Sequence, residues 1–328
     1  MVAKLAVVIH AEEEFDWSGG FKQHQDQVTH HLELITLIDG MIQAGAKVTL
    51  AMDYPFVTSD GGQQVVAHCQ RYEKHHIEFA AHLHPWVTPP FDEQSDHKGE
   101  VANVLSYPGN LTAELEFEKL RSLTEAIEAV TGQRPVTYLA GRYGIGPNTA
   151  SILKRLGYKV DLSISAFSDF THQEGPDFSR YNNKIFTEGA ITYLPHTCCR
   201  LSAFAPLTKV LNDNPTWLSH QGLASRVVKK LLGVKTYRLS PEGSDLDDMI
   251  TATENQIRLG HDHLIMSFHS PTVKQGMTPY VSSQDEQQVF IDTTVDFIKW
   301  FKGVPNTEMI TPASILRAGG HYAKQHHG

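Results

Sequence analysis

The chain has 328 residues, with 28 Lys and Arg against 37 Asp and Glu, a formal net charge of −9 with His neutral. Hydrophobic residues make up 41% and charged residues 20%, a globular composition that argues against a disordered or fibrous chain and allows a sizeable core. The negative balance argues against a nucleic-acid partner, which calls for a basic stripe, and no apolar run approaches the ~18 residues of a membrane span.

The opening residues MVAKLAVVIH read as a buried strand over 4–10 and not as a secretory signal, which makes the cytoplasm the expected compartment. Apolar positions at Leu32, Ile35, Ile38 and Ile42 predict a helix over 28–44 that ends near Gly45. A strand over 47–52, a helix over 62–74 and a strand over 76–82 follow, then a Pro-rich loop from Pro85 to about Pro108. Residues 112–130 predict a helix with Thr112 as N-cap and Glu114 in its first turn. Next come a strand over 136–140, a helix over 147–156 opened by Pro147, and a strand over 159–165. Residues 166–200 read as irregular, with a small hairpin near 184–194. Helices over 219–231, 244–259 and 284–302 alternate with strands over 234–239, 263–268 and 308–310. This alternation implies a parallel sheet. Seven or eight units predict an α/β fold of TIM type, a single distorted (β/α) barrel over 1–320, with a polar tail over 321–328.

Cys69, Cys198 and Cys199 make no disulfide framework. The 19 histidines direct attention to metal ligands and proton carriers. In a parallel barrel, chemistry gathers where strands end. The first strand ends in His10-Ala11-Glu12-Glu13-Glu14, and alternation places His10, Glu12 and Glu14 on one side. Three adjacent glutamates call for a compensating cation or form a solvated acidic loop. The third strand ends in His82-Leu83-His84, an H-x-H pair whose imidazoles point one way on an extended chain. Two histidines and a carboxylate suit a divalent metal with open positions; the other reading is two surface histidines at a turn.

Ala140-Gly141-Arg142-Tyr143-Gly144-Ile145-Gly146 allows tight backbone at the mouth but lacks the G-K-[ST] ending of a phosphate loop. Arg142 would stand near the acidic cluster or in a structural ion pair. Asp161, in a strand-like run, calls for a partner such as Arg142 or a histidine. His269 ends a strand and is a candidate general acid or base, or else a core histidine. The stretch YRLSPEG at 237–243 also ends a strand and would shape the mouth.

Four segments, HAEEEFDW (10–17), AAHLHPWVTPP (80–90), AGRYGIG (140–146) and FHSPTVKQGMTPYV (268–281), together resemble the polysaccharide deacetylase family. This is the group with NodB homology, carbohydrate esterase family 4, and the closest likeness is to its WalW-like branch, over about 4–316. The resemblance implies a distorted (β/α) barrel of about seven strands that removes N-acetyl groups from glycans with a divalent metal, commonly zinc. It implies Glu12, His82 and His84 as metal-binding residues, Arg142 as the arginine that orients the base, and His269 as general acid. Two departures stand out: His10 occupies the place of the family's basic aspartate, and H-x-H replaces H-x-x-x-H, with Trp86 where the second ligand would be.

On this reading His10 takes a proton from water, or Glu13 or Glu14 does so if the register differs. His269 protonates the leaving amine, tuned by Asp161 or another carboxylate. Trp17, Trp86 and Tyr143 stack on sugar faces or merely pack. The expected partner is an N-acetylated glycan or sugar precursor of cell-surface polysaccharide metabolism. Two alternatives are a glycan-binding protein that has lost catalysis, suggested by His10, and a different metal-dependent amidohydrolase, whose H-x-H usually sits on the first strand.

Overall fold

A computed structural model describes residues 1–91, 99–217 and 223–318. The expected polar tail, part of the Pro-rich loop and the start of the helix expected at 219 lie outside the described residues.

In chain order the elements begin with β1 (Ala3–Ala11), β2 (Phe21–Lys22), α1 (His31–Gln43), β3 (Val48–Met52), α2 (Tyr54–Thr58), α3 (Asp60–Cys69) and β4 (Ile77–Leu83). They continue with β5 (Glu100–Val101), α4 (Ala113–Thr131), β6 (Thr137–Ala140), α5 (Thr149–Leu156), β7 (Val160–Asp161), β8 (Phe186–Glu188) and β9 (Ile191–Tyr193). The last are β10 (Cys198–Leu201), α6 (Ala205–Asp213), α7 (Leu223–Leu231), β11 (Lys235–Arg238), α8 (Leu246–Arg258), β12 (His263–His269), α9 (Gln284–Gly303) and β13 (Thr307–Ile310).

The main sheet has the order β12-β1-β3-β4-β6-β7-β9-β8, with β13 also pairing with β1. From β12 to β9 every pairing is parallel, which makes seven parallel strands; β8 adds an antiparallel edge. The sheet curls into a barrel wall. Its seam is bridged by the Ser267 N–H donating to Leu239 O at 3.2 Å and the Leu239 N–H donating to Thr197 O at 2.9 Å. The expected (β/α) barrel is therefore the observed architecture.

Strand alternation builds two cores. On β1, Leu5, Val7 and Ile9 face outward and pack with helix residues such as Leu34 and Leu37. Ala6 and Val8 face inward and pack with Ala51, Ala80, Leu139 and Ile265. On α1 the buried residues Leu34, Leu37, Ile38 and Met41 follow helical spacing, and each stabilises by roughly 1.5–3 kcal/mol on burial. Thr112 caps α4 by accepting the Leu115 N–H, as its position predicts, and Gly132 ends the helix at φ 67°.

Three expectations are corrected. The helix expected over 62–74 ends at Cys69 and is preceded by a separate α2, because Asp53 and Ser59 each cap a helix start, accepting from Phe56 N and Gly62 N. The strand expected over 159–165 closes after Asp161, whose carboxylate accepts the Ser163 N–H at 2.7 Å and turns the chain. The strand expected at 234–239 is not a barrel unit. It forms β11, which pairs antiparallel with β10 outside the main sheet, Cys198 opposite Arg238. Lys235 and Thr236 are exposed, whereas a parallel barrel strand is covered on both faces.

Candidate active site

The inward rows of the barrel continue from apolar residues into histidines. On β1 the row runs Ala6, Val8, His10; on β12 it runs Ile265, Ser267, His269; on β4 Ala80 leads to His82. The alternation that fills the barrel thus aims imidazoles at the C-terminal opening. A cavity of about 500 Å³ lies there, lined by His10, Glu12, His82, His84, Arg142 and His269, among others.

Glu12, His82 and His84 converge. The Nε2 atoms of the two histidines lie 3.4 and 3.6 Å from Glu12 Oε2. Their Nδ1 atoms are already engaged: His82 Nδ1 donates to Leu139 O at 3.1 Å and His84 Nδ1 to Glu13 Oε2 at 2.8 Å. That fixes the tautomer with both Nε2 lone pairs facing the cavity, the arrangement in which ligating histidines are held. Glu12 is fixed through its N–H, which donates to Ser270 Oγ at 3.1 Å. The three residues present an N, N, O donor set that fits a divalent ion.

The other two glutamates face elsewhere. Glu13 is buried beneath the site, accepting from His84 and from Trp86 Nε1 at 2.8 Å, and burial raises it to about 7. Glu14 accepts from Thr29 and contacts His30, and although burial opposes it, these partners lower it to about 2. Neither lines the cavity, so neither is placed to act as the base.

His10 is buried, and its Nε2 has no hydrogen-bond partner. Burial first, then the neighbouring His269 and His82, hold it well below the usual imidazole range. His269 behaves oppositely: burial pulls it down, but the Glu242 and Glu12 carboxylates carry it up to about 9. Glu242 Oε2 lies 2.8 Å from His269 Nδ1, and its Oε1 accepts from Thr272 Oγ1 at 2.5 Å. The cavity therefore holds one neutral and one cationic histidine side by side.

Arg142 does not join the acidic cluster. At φ 54° it turns its guanidinium to Asn103, Ser106 and Gln173, over the rings of Tyr107 and Phe21. Asp161 is not in the cavity at all. Val160 and Leu162 take the inward positions, so Asp161 faces the helix layer, where burial raises it to about 6 and neither Arg142 nor a histidine pairs with it. The carboxylate beside His269 is Glu242. Trp86 is 2% exposed and stacks on His84 at 4.2 Å, so it supports the site from below. Trp17 is 42% exposed at the rim, edge-on to His269 at 5.3 Å and to Tyr280 at 5.8 Å. Tyr143 lines the cavity and accepts a hydrogen bond from Arg238 at 3.0 Å.

Sequence reasoning missed His196, Arg238, Glu242 and Tyr280. His196 packs 5.6 Å from His10 with its Nδ1 on Ser267 Oγ at 2.9 Å. YRLSPEG carried a signal, since Arg238 and Glu242 both lie in it.

No family model and no curated protein matches the chain. Solved structures do. A protein described as a polysaccharide deacetylase from Mycobacterium smegmatis matches with a TM-score of 0.55 at 12% identity, over 99% of this chain and 94% of that one. Another so described, from Pseudomonas aeruginosa PAO1, gives 0.50 at 12% identity over 98% and 92%. A 4-alpha-glucanotransferase from Thermococcus litoralis gives 0.53 at 9% identity, over 96% of this chain but 40% of that one. The chain thus shares the barrel fold of the polysaccharide deacetylase structures, as the four segments imply. That fold also serves a glucanotransferase, so the reaction is argued from the site. Among the described residues no helix is long and apolar enough to cross a membrane.

Proposed function

We propose that the protein is a metal-dependent hydrolase that removes N-acetyl groups from a glycan or acetylated sugar precursor, and that residues 1–320 act as one barrel domain. The observation that carries this reading is the convergence of His82 and His84 Nε2 on Glu12 Oε2 while both Nδ1 atoms are held by acceptors. The N, N, O donor set favours zinc. An ion there supplies Lewis acidity to the acetamide carbonyl and to water.

The remaining steps belong to the chain's own groups. His10, neutral and lining the cavity, accepts a proton from the attacking water. His269, cationic and held by Glu242, donates a proton to the departing amine nitrogen. The C–N bond breaks and acetate leaves. Trp17 at the rim and Tyr143 on the wall offer aromatic surface to the sugar and narrow the access of bulk water.

The test is acetate release from N-acetylated chito-oligosaccharides by zinc-loaded protein. Activity lost together with the metal in both Glu12→Ala and His82→Ala supports the reading. Metal and activity retained in both variants overturn it. Saccharide binding without acetate release in the wild type would instead identify a glycan-binding protein that has lost catalysis.

A further inference from the structure

Two guanidinium groups face the cavity with only neutral partners. Arg142 donates to Asn103 Oδ1 at 2.8 Å, Ser106 Oγ at 2.5 Å and Gln173 Oε1 at 2.6 Å. Arg238 donates to Tyr143 OH at 3.0 Å and Ser165 Oγ at 2.8 Å. Among the described residues neither makes an ion pair. On the surface the pattern differs: Arg121 pairs with Glu118 and Glu125, and Arg134 with Glu128.

The two cavity arginines also lie over rings, Arg142 over Tyr107 at 4.0 Å and Arg238 over Tyr143 at 5.1 Å. Rings and neutral acceptors fix a guanidinium without neutralising it. An unpaired guanidinium at a cavity wall favours an anionic ligand over a neutral one. The carboxylates in the cavity region are committed elsewhere, Glu12 to His82 and His84, and Glu242 to His269 and Thr272. The chain as a whole carries −9, so a cationic cavity wall is a local departure from its charge.

We propose that Arg142 and Arg238 recognise an oxyanion, a carboxylate or phosphate carried by the sugar, so that the substrate class is an acidic N-acetylated saccharide. A guanidinium presents a rigid fork of donors that matches either oxyanion, which an ammonium does not. The assignment rests on the deacetylase reading only for the acetamide; anion recognition by the two arginines stands apart from it.

The experiment is calorimetric titration of the full chain with three probes: N-acetylglucosamine, N-acetylmuramic acid and N-acetylglucosamine 6-phosphate. At least one acidic sugar binds ~10- to 100-fold more tightly than the neutral one, as expected for hydrogen bonds to a charged group. The preference collapses in Arg238→Gln and in Arg142→Gln and is partly kept in Arg238→Lys, which retains the charge. If a Gln variant fails to fold, by its circular dichroism, the Lys variant and the remaining Gln variant carry the comparison. Tight binding of the carboxylate probe alone or the phosphate probe alone identifies the oxyanion. Equal binding of all three probes, or a preference unchanged in both Gln variants, overturns the proposal. Acetate release is measured in parallel. An acidic preference without acetate release sinks the deacetylase reading and leaves this inference standing, and acetate release with no preference does the reverse.

Discussion

His10 and His269 occupy paired positions on the adjacent parallel strands β1 and β12, with ring centroids 4.7 Å apart, yet they hold protons oppositely. Burial and the cationic His269 beside it keep His10 neutral. His269 is partly open to the cavity, 22% exposed, and Glu242 and Glu12 reverse the effect of burial and bring it to about 9. A base and an acid thus stand side by side because one strand end has a carboxylate against its imidazole and the other does not.

The alkaline side of the pH profile follows from this pair. His269 must be protonated to act as acid, so kcat/KM of the metal-loaded enzyme falls on the alkaline side as His269 loses its proton, at a pH that the Glu242 carboxylate raises. Glu242→Gln removes the carboxylate beside Nδ1 and moves that limb to lower pH. A limb that stays in place in this variant takes the acid role away from His269.

Glu13 is a positioning residue for the metal-binding pair. It accepts from His84 Nδ1 and from Trp86 Nε1. Glu13→Ala is expected to weaken zinc binding ~10- to 100-fold while leaving all three donors in place. Chelator competition measures this, with elemental analysis of His82→Ala as the metal-free reference. Protein cut before His321 is used so that tail histidines bind no ion.

Asp161 is destabilising when charged. Burial raises it from the usual carboxylate range to about 6, so the fold favours the neutral form. Its favourable contribution is present below pH ~4 and is lost as pH rises through about 6. The shift corresponds to ~3 kcal/mol. Asp161→Asn should therefore melt higher than wild type at pH 8, with the difference vanishing near pH 4, and should keep activity. A variant no more stable at pH 8 would contradict the environment described for Asp161.

Backbone contact sets the mouth. A Cβ on Gly146 would lie 2.2 Å from Gly109 O, whereas one on Gly303 meets nothing within 4 Å. Gly146→Ala should cost ~1–3 kcal/mol in urea unfolding and shift the adjacent Arg142 turn. Gly303→Ala, at the end of α9, should be neutral or stabilising by up to ~1 kcal/mol.

The barrel was legible because its central strands are short apolar runs with helices between them, and β1, β3, β4 and β12 fall within a residue or two of their expected spans. His82 and His84 were legible as a pair because strand alternation points both one way, while Glu12 was singled out from Glu14 only by the resemblance, since β1 ends at Ala11 and Glu14 turns to Thr29 and His30. Arg238 and Glu242 were not, because they reach the cavity from a non-barrel strand and the loop after it, a path that only tertiary packing determines. Asp161 misled for a related reason. A carboxylate in a strand points to the mouth or to the helices according to parity, and Val160 and Leu162 hold the inward places.

The excursion between β10 and β11 leaves the barrel at Cys198 and returns at Arg238, residues that lie opposite one another in register. Its two ends are therefore held together by strand pairing. Within the excursion Asn212 is buried and bonded to Arg200 and Gln256, so α6 braces β10 and α8. A change in α6 therefore reaches the strand pair that holds Arg238 at the histidine-lined opening.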